Sequence, residues 1–194
     1  MNQEYVLDQL KSAGALMDGH FMLASGRHSN RYIEKFHLLR NPTVTSAICA
    51  GFADRFADQG IDVVVGPTTG GIILAFEVGR QLGVAAAYAE RKGDGSDGRE
   101  FRRSTAIAPG SRVLVLDDIL TTGGSVRETL AALAEHPVEV IAVGVLVDRS
   151  GGTVQFDCVP LMSLLTLDVT TWAADECPLC KAGTPVVKPG TTKK

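Results

Sequence analysis

The sequence predicts an α/β domain built on a central, mostly parallel β-sheet that is flanked by helices. Apolar, β-branched runs of strand length alternate with segments of helical periodicity along the chain, and this alternation is typical of parallel sheets with helices on both faces. The length of 194 residues fits one domain. A hydrophobic content of 45% and a charged content of 21% are those of an ordinary globular protein.

The predicted elements follow in a regular order. Apolar residues recur at helical spacing in residues 1–14, 43–59, 72–83 and 126–136. Continuous apolar runs of strand length occupy residues 61–66, 84–90, 111–118 and 138–149. The carboxyl ends of parallel strands share one edge of the sheet, where ligands bind. Four polar loops are therefore predicted to meet there: residues 66–71, 90–95, 117–125 and 147–152.

Two segments lie outside the alternating pattern. The polar stretch "GHFMLASGRHSNRYIEK", residues 19–35, suits a hood or an edge hairpin over the loop edge. We expect residues 1–174 to form one domain, with a helix and hood in 1–40 and the α/β core in 41–174. Residues 175–194 are rich in Pro, Gly and Lys and form a predicted tail, whose last few residues we expect to be disordered.

Composition argues against several classes of partner. A net charge of −3 disfavours a general nucleic-acid binder. No run of about 18 apolar residues is present, so we expect no membrane span. The first residues lack the basic-then-apolar order of a signal peptide. The four cysteines are too sparse for a disulfide framework, and a cytoplasmic location is expected.

The stretch "VLVLDDILTTGGSV" combines an apolar strand, two adjacent carboxylates and a loop rich in Gly and hydroxyls. Asp117 and Asp118 repel each other, so a nearby group must compensate or use them. The following loop can hold a phosphate through backbone N–H groups and hydroxyls, and Ser125 with Glu128 matches a capping box. Carboxylates accept hydrogen bonds from sugar hydroxyls, so the combination suits a ribose 5-phosphate. A solvated acidic turn that caps a helix is the alternative.

This stretch resembles the phosphoribosyl-pyrophosphate (PRPP) binding motif of the type I phosphoribosyltransferases. The resemblance implies that Asp117 and Asp118 hold the ribose hydroxyls. It places the other PRPP contacts at Ile119, Leu120, Thr121, Thr122, Gly123, Gly124 and Ser125. It also implies a pyrophosphate-binding role for Thr68, Thr69 and Gly70 in the loop "GPTTGG", for which a plain strand-to-helix turn is the alternative.

The orotate members of that family are the most similar. They carry threonine at the position of Thr121, where 6-oxopurine members have an acid and adenine members have alanine. "FMLASGRHSNRY" is similar to their pattern F-x-L-x-S-G-x-x-S-x-x-Y. The resemblance implies that Thr121, Tyr32 and Ile33 contact the pyrimidine and that Arg149 pairs with its carboxylate. A surface salt bridge is the alternative for Arg149.

The segment "ERKGDGSDGREFRR" departs from the family pattern R-K-x-x-K-x-H-G of a mobile lid. Arg91 and Lys92 match its start, and the resemblance assigns them to the leaving pyrophosphate. The later Lys and His are missing, and Ala24 stands where a Lys is expected. The positive charges that could replace them, or that could form a solvated basic loop, are Arg99, Arg102 and Arg103.

The motif "CPLC" is not part of this pattern. Cys177 and Cys180 offer two ligands, whereas a structural zinc needs four. Cys158 or a second subunit could complete a site, but we expect free thiols and no metal ligands. His20 and His28 are expected to be structural or close to the substrate.

The resemblance implies an enzyme that transfers ribose 5-phosphate from PRPP to orotate, giving orotidine 5′-phosphate and pyrophosphate in pyrimidine biosynthesis. It also implies Mg²⁺ as the cofactor and a homodimer. Two alternatives remain: an adenine-type purine phosphoribosyltransferase, and a regulator that binds PRPP without turnover. The absence of net basic charge counts against the regulator.

Overall fold

The structure, a computed structural model, describes residues 1–102 and 107–189. Its centre is a six-stranded sheet in the order β5-β4-β3-β6-β7-β8. The strands are β3 (Val63–Pro67), β4 (Ala85–Arg91), β5 (Arg99–Glu100), β6 (Arg112–Leu120), β7 (Glu139–Asp148) and β8 (Leu161–Thr166). Every neighbouring pair is parallel except β4 and β5, as the sequence predicts.

Helices cover both faces of this sheet. The helices on the sheet are α1 (Gln3–Ser12), α3 (Pro42–Phe56), α4 (Gly70–Leu82) and α5 (Gly124–Leu133). The short helix α2 (Lys35–Leu39) packs against α3 and α4, and α6 (Pro178–Lys181) lies in the tail. Successive side chains of a strand point to opposite faces. Val64 accordingly packs in the cluster that contains α1, α3 and α4, whereas Val63 and Val65 pack in the cluster that contains α5. Burial on both faces explains why the strands are apolar throughout.

A second sheet forms the hood. It consists of β1 (Leu16–Met22), β2 (His28–Ile33) and β9 (Thr171–Trp172), in that order and antiparallel. The predicted hairpin in residues 19–35 is therefore confirmed. The tail packs on this sheet: the Met22 backbone N–H donates to the Val187 carbonyl at 2.9 Å, and the Val187 N–H donates to the His20 carbonyl at 2.8 Å.

The four helices and four strands predicted for the α/β pattern are all present, with ends that differ by a few residues. The sequence did not predict α2, β5, β8, β9 or α6. The proposed division at residues 40 and 174 stays a prediction, although β9 joins the hood sheet from the end of the core segment. Residues 190–194, where disorder was expected, lie outside the described residues. Among the described helices, none is long and apolar enough to cross a membrane.

The capping-box prediction is wrong. Helix α5 begins at Gly124, after Gly123 in the left-handed conformation at φ 79°, so Ser125 lies inside the helix and not at its cap. The Ser125 hydroxyl donates to Asp117 Oδ2 at 2.6 Å. Glu128 pairs instead with Arg99, whose Nε lies 3.2 Å from Glu128 Oε2. Because glycine readily adopts a positive φ, Gly123 can precede the helix directly, and α5 begins earlier in the chain than the capping box predicts.

Candidate active site

The strand order creates a crevice between the ends of β3 and β6. The connection from β3 runs through α4 to β4 on one side, while β6 and β7 extend the sheet on the other side. Loops that leave in opposite directions open a crevice at such a switch point. The predicted meeting of the loops after β3, β4, β6 and β7 at one edge is confirmed by the parallel pairing of these strands.

The acidic pair lies in this crevice and is buried. Asp117 and Asp118 are 6% and 3% exposed, and β6 continues beyond them to Leu120. The Asp118 N–H donates to Asp117 Oδ1 at 2.8 Å, and the Ile119 N–H donates to Asp118 Oδ1 at 2.7 Å. Burial, with a smaller contribution from the charge of Asp118, raises the pKa of Asp117 to about 6. The adjacent carboxylates therefore repel each other in a poorly solvated place.

Lys35 compensates this charge. Its Nζ lies 2.9 Å from Asp118 Oδ1 and 2.8 Å from Asp118 Oδ2. The adjacent carboxylates predict a compensating group, but the sequence alone does not identify it. A lysine three residues after Tyr32, at the end of the hood segment, was the available signal. The ion pair attaches the end of the hood to the crevice.

The loop "GPTTGG" packs directly against the acidic pair. A Cβ atom at Gly70 would overlap Asp118 Oδ2, and it would lie 3.2 Å from Leu39 Cδ1. A Cβ atom at Gly66 would overlap the Gly71 carbonyl. The peptide bond between Thr68 and Thr69 is cis. Glycines are thus required here for close approach of the backbone to β6.

Arg99 supports the same loop from β5. Its Nη1 donates to Thr68 Oγ1 at 2.9 Å and to the Ala89 carbonyl at 3.0 Å. The side chain is buried, and this burial lowers the pKa of Arg99, while the charge of Glu128 opposes the effect. Of the other two arginines noted in this segment, Arg102 is exposed with its Nε 3.8 Å from Glu100 Oε1. Arg103 lies outside the described residues.

The predicted lid is a short hairpin formed by β4 and β5. Arg91 pairs with Arg99 in the register of the two strands, and the Lys92 N–H donates to the Gly98 carbonyl at 3.3 Å. Arg91 is exposed and Lys92 is half-buried. The hairpin follows β4, so both residues lie beyond the same sheet edge as the crevice.

The predicted phosphate loop joins β6 to α5. Thr121 and Thr122 are exposed, while Leu120 is 1% exposed and packs in the core. Any contact of Leu120 with a ligand would therefore use its backbone. Arg127, which sequence reasoning missed, donates from Nη1 to the Thr122 carbonyl at 3.0 Å and from Nη2 to the Gln155 carbonyl at 3.1 Å. Arg127 therefore connects the loop to the backbone at Gln155.

Arg149 begins the loop after β7, beside β6. Its backbone N–H donates to the Leu120 carbonyl at 2.9 Å. The carboxylate of Asp148 accepts from the Ser150 N–H at 2.7 Å and from the Gly152 N–H at 3.3 Å, so the loop is fixed without the Arg149 side chain. Arg149 Nε is buried without a hydrogen-bond partner. Burial lowers the pKa of this guanidinium.

Of the two predicted pyrimidine contacts in the hood, Tyr32 lies within electrostatic range of Arg149. The two groups interact electrostatically, and burial is the main reason why the pKa of Tyr32 is raised. The ring of Phe21 lies 5.7 Å from that of Tyr32 and supports it. Ile33, the other predicted pyrimidine contact, is 5% exposed and packs in the core on the opposite face of β2. The structure brings Tyr32, and not Ile33, to Arg149.

Comparison with known proteins gives the family. The model of the phosphoribosyl transferase domain matches residues 37–178, which include the crevice, the acidic pair and Arg149. The chain belongs to this family. A phosphoribosyl transferase domain explains why the carboxylates and the hydroxyl-rich loop follow a strand of a parallel sheet.

Relatives of this phosphoribosyl transferase domain share its full length. The orotate phosphoribosyltransferase of Caldicellulosiruptor bescii is 45% identical over 194 residues, which is 100% of both chains. The crystal structure of orotate phosphoribosyltransferase from Aeropyrum pernix is 30% identical, with a TM-score of 0.71, and the match covers 84% of this chain and 93% of that chain.

Similarity of fold extends to purine enzymes of the family. The crystal structure of adenine phosphoribosyltransferase from Thermoanaerobacter pseudethanolicus is 16% identical, with a TM-score of 0.66, and the match covers 83% of this chain and 99% of that chain. At this identity the likeness extends to the fold alone. The choice of base therefore depends on the residues of the site and on the full-length relatives.

Proposed function

We propose that this chain is an orotate phosphoribosyltransferase, which transfers ribose 5-phosphate from PRPP to N1 of orotate and releases pyrophosphate. One observation carries the proposal: the buried acidic pair lies near the end of β6, and Arg149, which interacts electrostatically with Tyr32 of the hood, begins the loop after the adjacent strand β7. The full-length relatives support the assignment to orotate, because the C. bescii protein bears that name.

The acidic pair is proposed to orient the ribose. Asp117 and Asp118 accept hydrogen bonds from ribose hydroxyls, and Lys35 lowers the repulsion between the two carboxylates. The 5-phosphate binds the backbone N–H groups and hydroxyls of residues 121–125. These contacts fix the anomeric carbon relative to both reaction partners, which is a catalytic effect of positioning.

The departing pyrophosphate is proposed to bind Thr68, Thr69 and Gly70, with Arg91 and Lys92 above it. Cleavage at the anomeric carbon builds positive charge on the ribose and negative charge on the pyrophosphate. Cationic side chains and backbone N–H groups stabilise that negative charge. Arg99 acts indirectly, because it holds the Thr68 hydroxyl.

The donor set fits Mg²⁺, which prefers oxygen ligands. Asp117 and Asp118, together with the hydroxyls of Thr68 and Thr69, are the oxygen donors beside the proposed pyrophosphate position. When bound, Mg²⁺ supplies positive charge that neutralises the pyrophosphate.

The acceptor base is proposed to lie between Tyr32 and Arg149, with Thr121 at its edge. Orotate is flat and carries a carboxylate. The planar guanidinium of Arg149 matches a carboxylate through two parallel hydrogen bonds. Its buried and unpartnered Nε gives this cation a reason to take an anionic ligand.

The same proposal includes an oligomeric state and a cellular location. Phe36 and Phe76 are 41% and 65% exposed and offer an apolar surface to a second copy of the chain, so we expect a homodimer by sedimentation or light scattering. The four cysteines form no disulfide, which is typical of a reducing compartment such as the cytoplasm.

A panel of bases tests the function. The purified chain is incubated with PRPP, Mg²⁺ and, in turn, orotate, uracil, adenine, hypoxanthine and xanthine, and nucleotide products are separated by chromatography. We expect product with orotate alone. Turnover of a purine but not orotate would favour the adenine-type enzyme. PRPP binding without product from any base would favour a regulator.

A further inference from the structure

Four potential metal ligands, in two pairs that are far apart along the chain, meet where the tail packs on the hood. They are His20 and His28 of the hood and Cys177 and Cys180 of "CPLC". One ligand atom from each lies within 4.8 Å of all the others. None of these residues belongs to the crevice described above. The motif "CPLC" by itself offers two ligands, and the fold adds two histidines.

The distances between ligand atoms suit a single ion. His20 Nε2 lies 2.8 Å from His28 Nδ1, 3.5 Å from Cys177 Sγ and 3.7 Å from Cys180 Sγ, and Cys180 Sγ lies 3.3 Å from His28 Nδ1. A tetrahedral ion with bonds of about 2.0–2.1 Å to nitrogen and about 2.3 Å to sulfur separates its ligand atoms by about 3.3–3.8 Å. These four distances lie within this range or about 0.5 Å below it, and no two ligand atoms are more than 4.8 Å apart, so moderate adjustments would let the cluster bind such an ion.

The hydrogen bond behind His20 prepares it as a ligand. His20 Nδ1 lies 2.7 Å from the Thr184 carbonyl oxygen, which can only accept, so Nδ1 carries the proton. In the neutral ring, Nε2 then holds a lone pair that points at the other three groups. A carbonyl partner that fixes the tautomer is the usual outer contact of a metal-bound histidine.

Burial favours a metal over bare thiols. His20, His28 and Cys177 are 3%, 5% and 0% exposed. Thiols are weak hydrogen-bond donors, so without an ion they poorly satisfy the two imidazoles. Two thiolates, two neutral imidazoles and one Zn²⁺ sum to zero charge, which suits a site with three buried ligands and one, Cys180, at the exposed edge. Four closed N and S ligands are typical of structural zinc.

We propose that His20, His28, Cys177 and Cys180 form a structural zinc site that attaches the C-terminal tail to the hood. Binding releases the two thiol protons and forms two Zn–S and two Zn–N bonds. The site would hold β1 and β2 against α6, and β2 leads directly to Tyr32 and Lys35 at the crevice. This proposal does not depend on which base the enzyme uses.

The first test is the metal content of the full-length chain. The protein is produced in zinc-supplemented medium, dialysed against metal-free buffer and analysed by mass spectrometry of its elements. We expect about one zinc per chain, and below about a tenth of that in the double variant Cys177→Ser, Cys180→Ser. Cys158→Ser is the matched control, because Cys158 is a free cysteine outside the cluster, and it should retain zinc.

A second measurement covers the case in which the double variant does not fold. Cobalt exchanged into the wild-type chain should give the intense d–d absorption of tetrahedral coordination and thiolate-to-cobalt charge-transfer bands. A chelator should lower the melting temperature of the wild-type chain. A wild-type chain that binds neither zinc nor cobalt would overturn the proposal, as would zinc that persists in the double variant.

Discussion

Replacement of Arg149 by alanine tests the pyrimidine side of the crevice most directly. The loop should survive the change, because its fixing contacts use the backbone N–H groups of residues 149, 150 and 152. No carboxylate lies within ion-pair distance of this guanidinium among the residues that the structure describes. Without orotate, the Arg149→Ala variant therefore lacks a poorly solvated cation but has lost no ion pair.

The expected loss appears only when orotate binds. A hydrogen bond to a charged group contributes about 1.5–3 kcal/mol, so two parallel bonds contribute at least about 3 kcal/mol. At about 1.4 kcal/mol for each factor of ten, Arg149→Ala should raise the KM for orotate at least about 100-fold. The KM for PRPP should change less than about threefold, since the acidic pair and residues 121–125 are unchanged.

Steady-state kinetics and thermal melting check both halves of this prediction. The melting temperature of the free variant should match or exceed that of the wild-type chain, and its increase on addition of orotate should disappear. Arg149→Lys keeps the charge but lacks the planar fork, so it should be intermediate. Equal losses for orotate and PRPP, or a large fall in the melting temperature of the free variant, would refute the reasoning.

Three further predictions concern the acidic pair. The pKa of Asp117 is raised to about 6, so the folded chain binds more protons than the unfolded chain between about pH 4 and 6, and stability falls as pH rises through that window. Asp117→Asn should therefore be more stable than wild type at about pH 8, by up to about 3 kcal/mol, while its affinity for PRPP falls. Denaturant titrations measure the free energy of unfolding at each pH, and the same pH dependence in the variant and the wild type would contradict this prediction. Gly70→Ala should displace Asp118 and raise the KM for PRPP at least about tenfold, and an unchanged KM would argue against the contact. Lys35→Met should destabilise the chain by about 1–2 kcal/mol near neutral pH, a value reduced by the partial exposure of Lys35; Lys35→Arg should restore most of it, and no change in melting would mean that the pair is not compensated by Lys35.

The position of the acidic pair and of the loop after it could be predicted because these residues are local in sequence. Residues 113–126 contain a strand, two carboxylates and a hydroxyl-rich loop in succession, so the end of that strand brings the polar groups to the sheet edge. The start of α5 was less predictable, because Gly123 and Ser125 both suit the first residues of a helix. The Ser125 hydroxyl donates to the buried carboxylate of Asp117 and does not cap the helix, and this contact is visible only in the tertiary structure.

Contacts between distant segments could not be predicted in this way. Lys35 and Asp118 are 83 residues apart, and many basic residues could have supplied the compensating charge. The position of Arg99 in the sequence places it in the predicted lid, yet its buried side chain contacts Thr68 and Glu128. Tyr32 and Ile33 were predicted together, and the alternation of side chains along β2 separates them.

The sequence by itself determined the parallel sheet, its flanking helices and the place of the acidic pair and hydroxyl-rich loop at the sheet edge, because these depend on periodicity and on one continuous motif. The tertiary structure decided which side chains meet across the molecule. It brought Lys35 to Asp118, Tyr32 to Arg149, and two histidines to the two cysteines of "CPLC". The reason is physical: hydrophobic periodicity fixes which face of an element is buried, whereas the pairing of distant elements follows from packing of the whole chain.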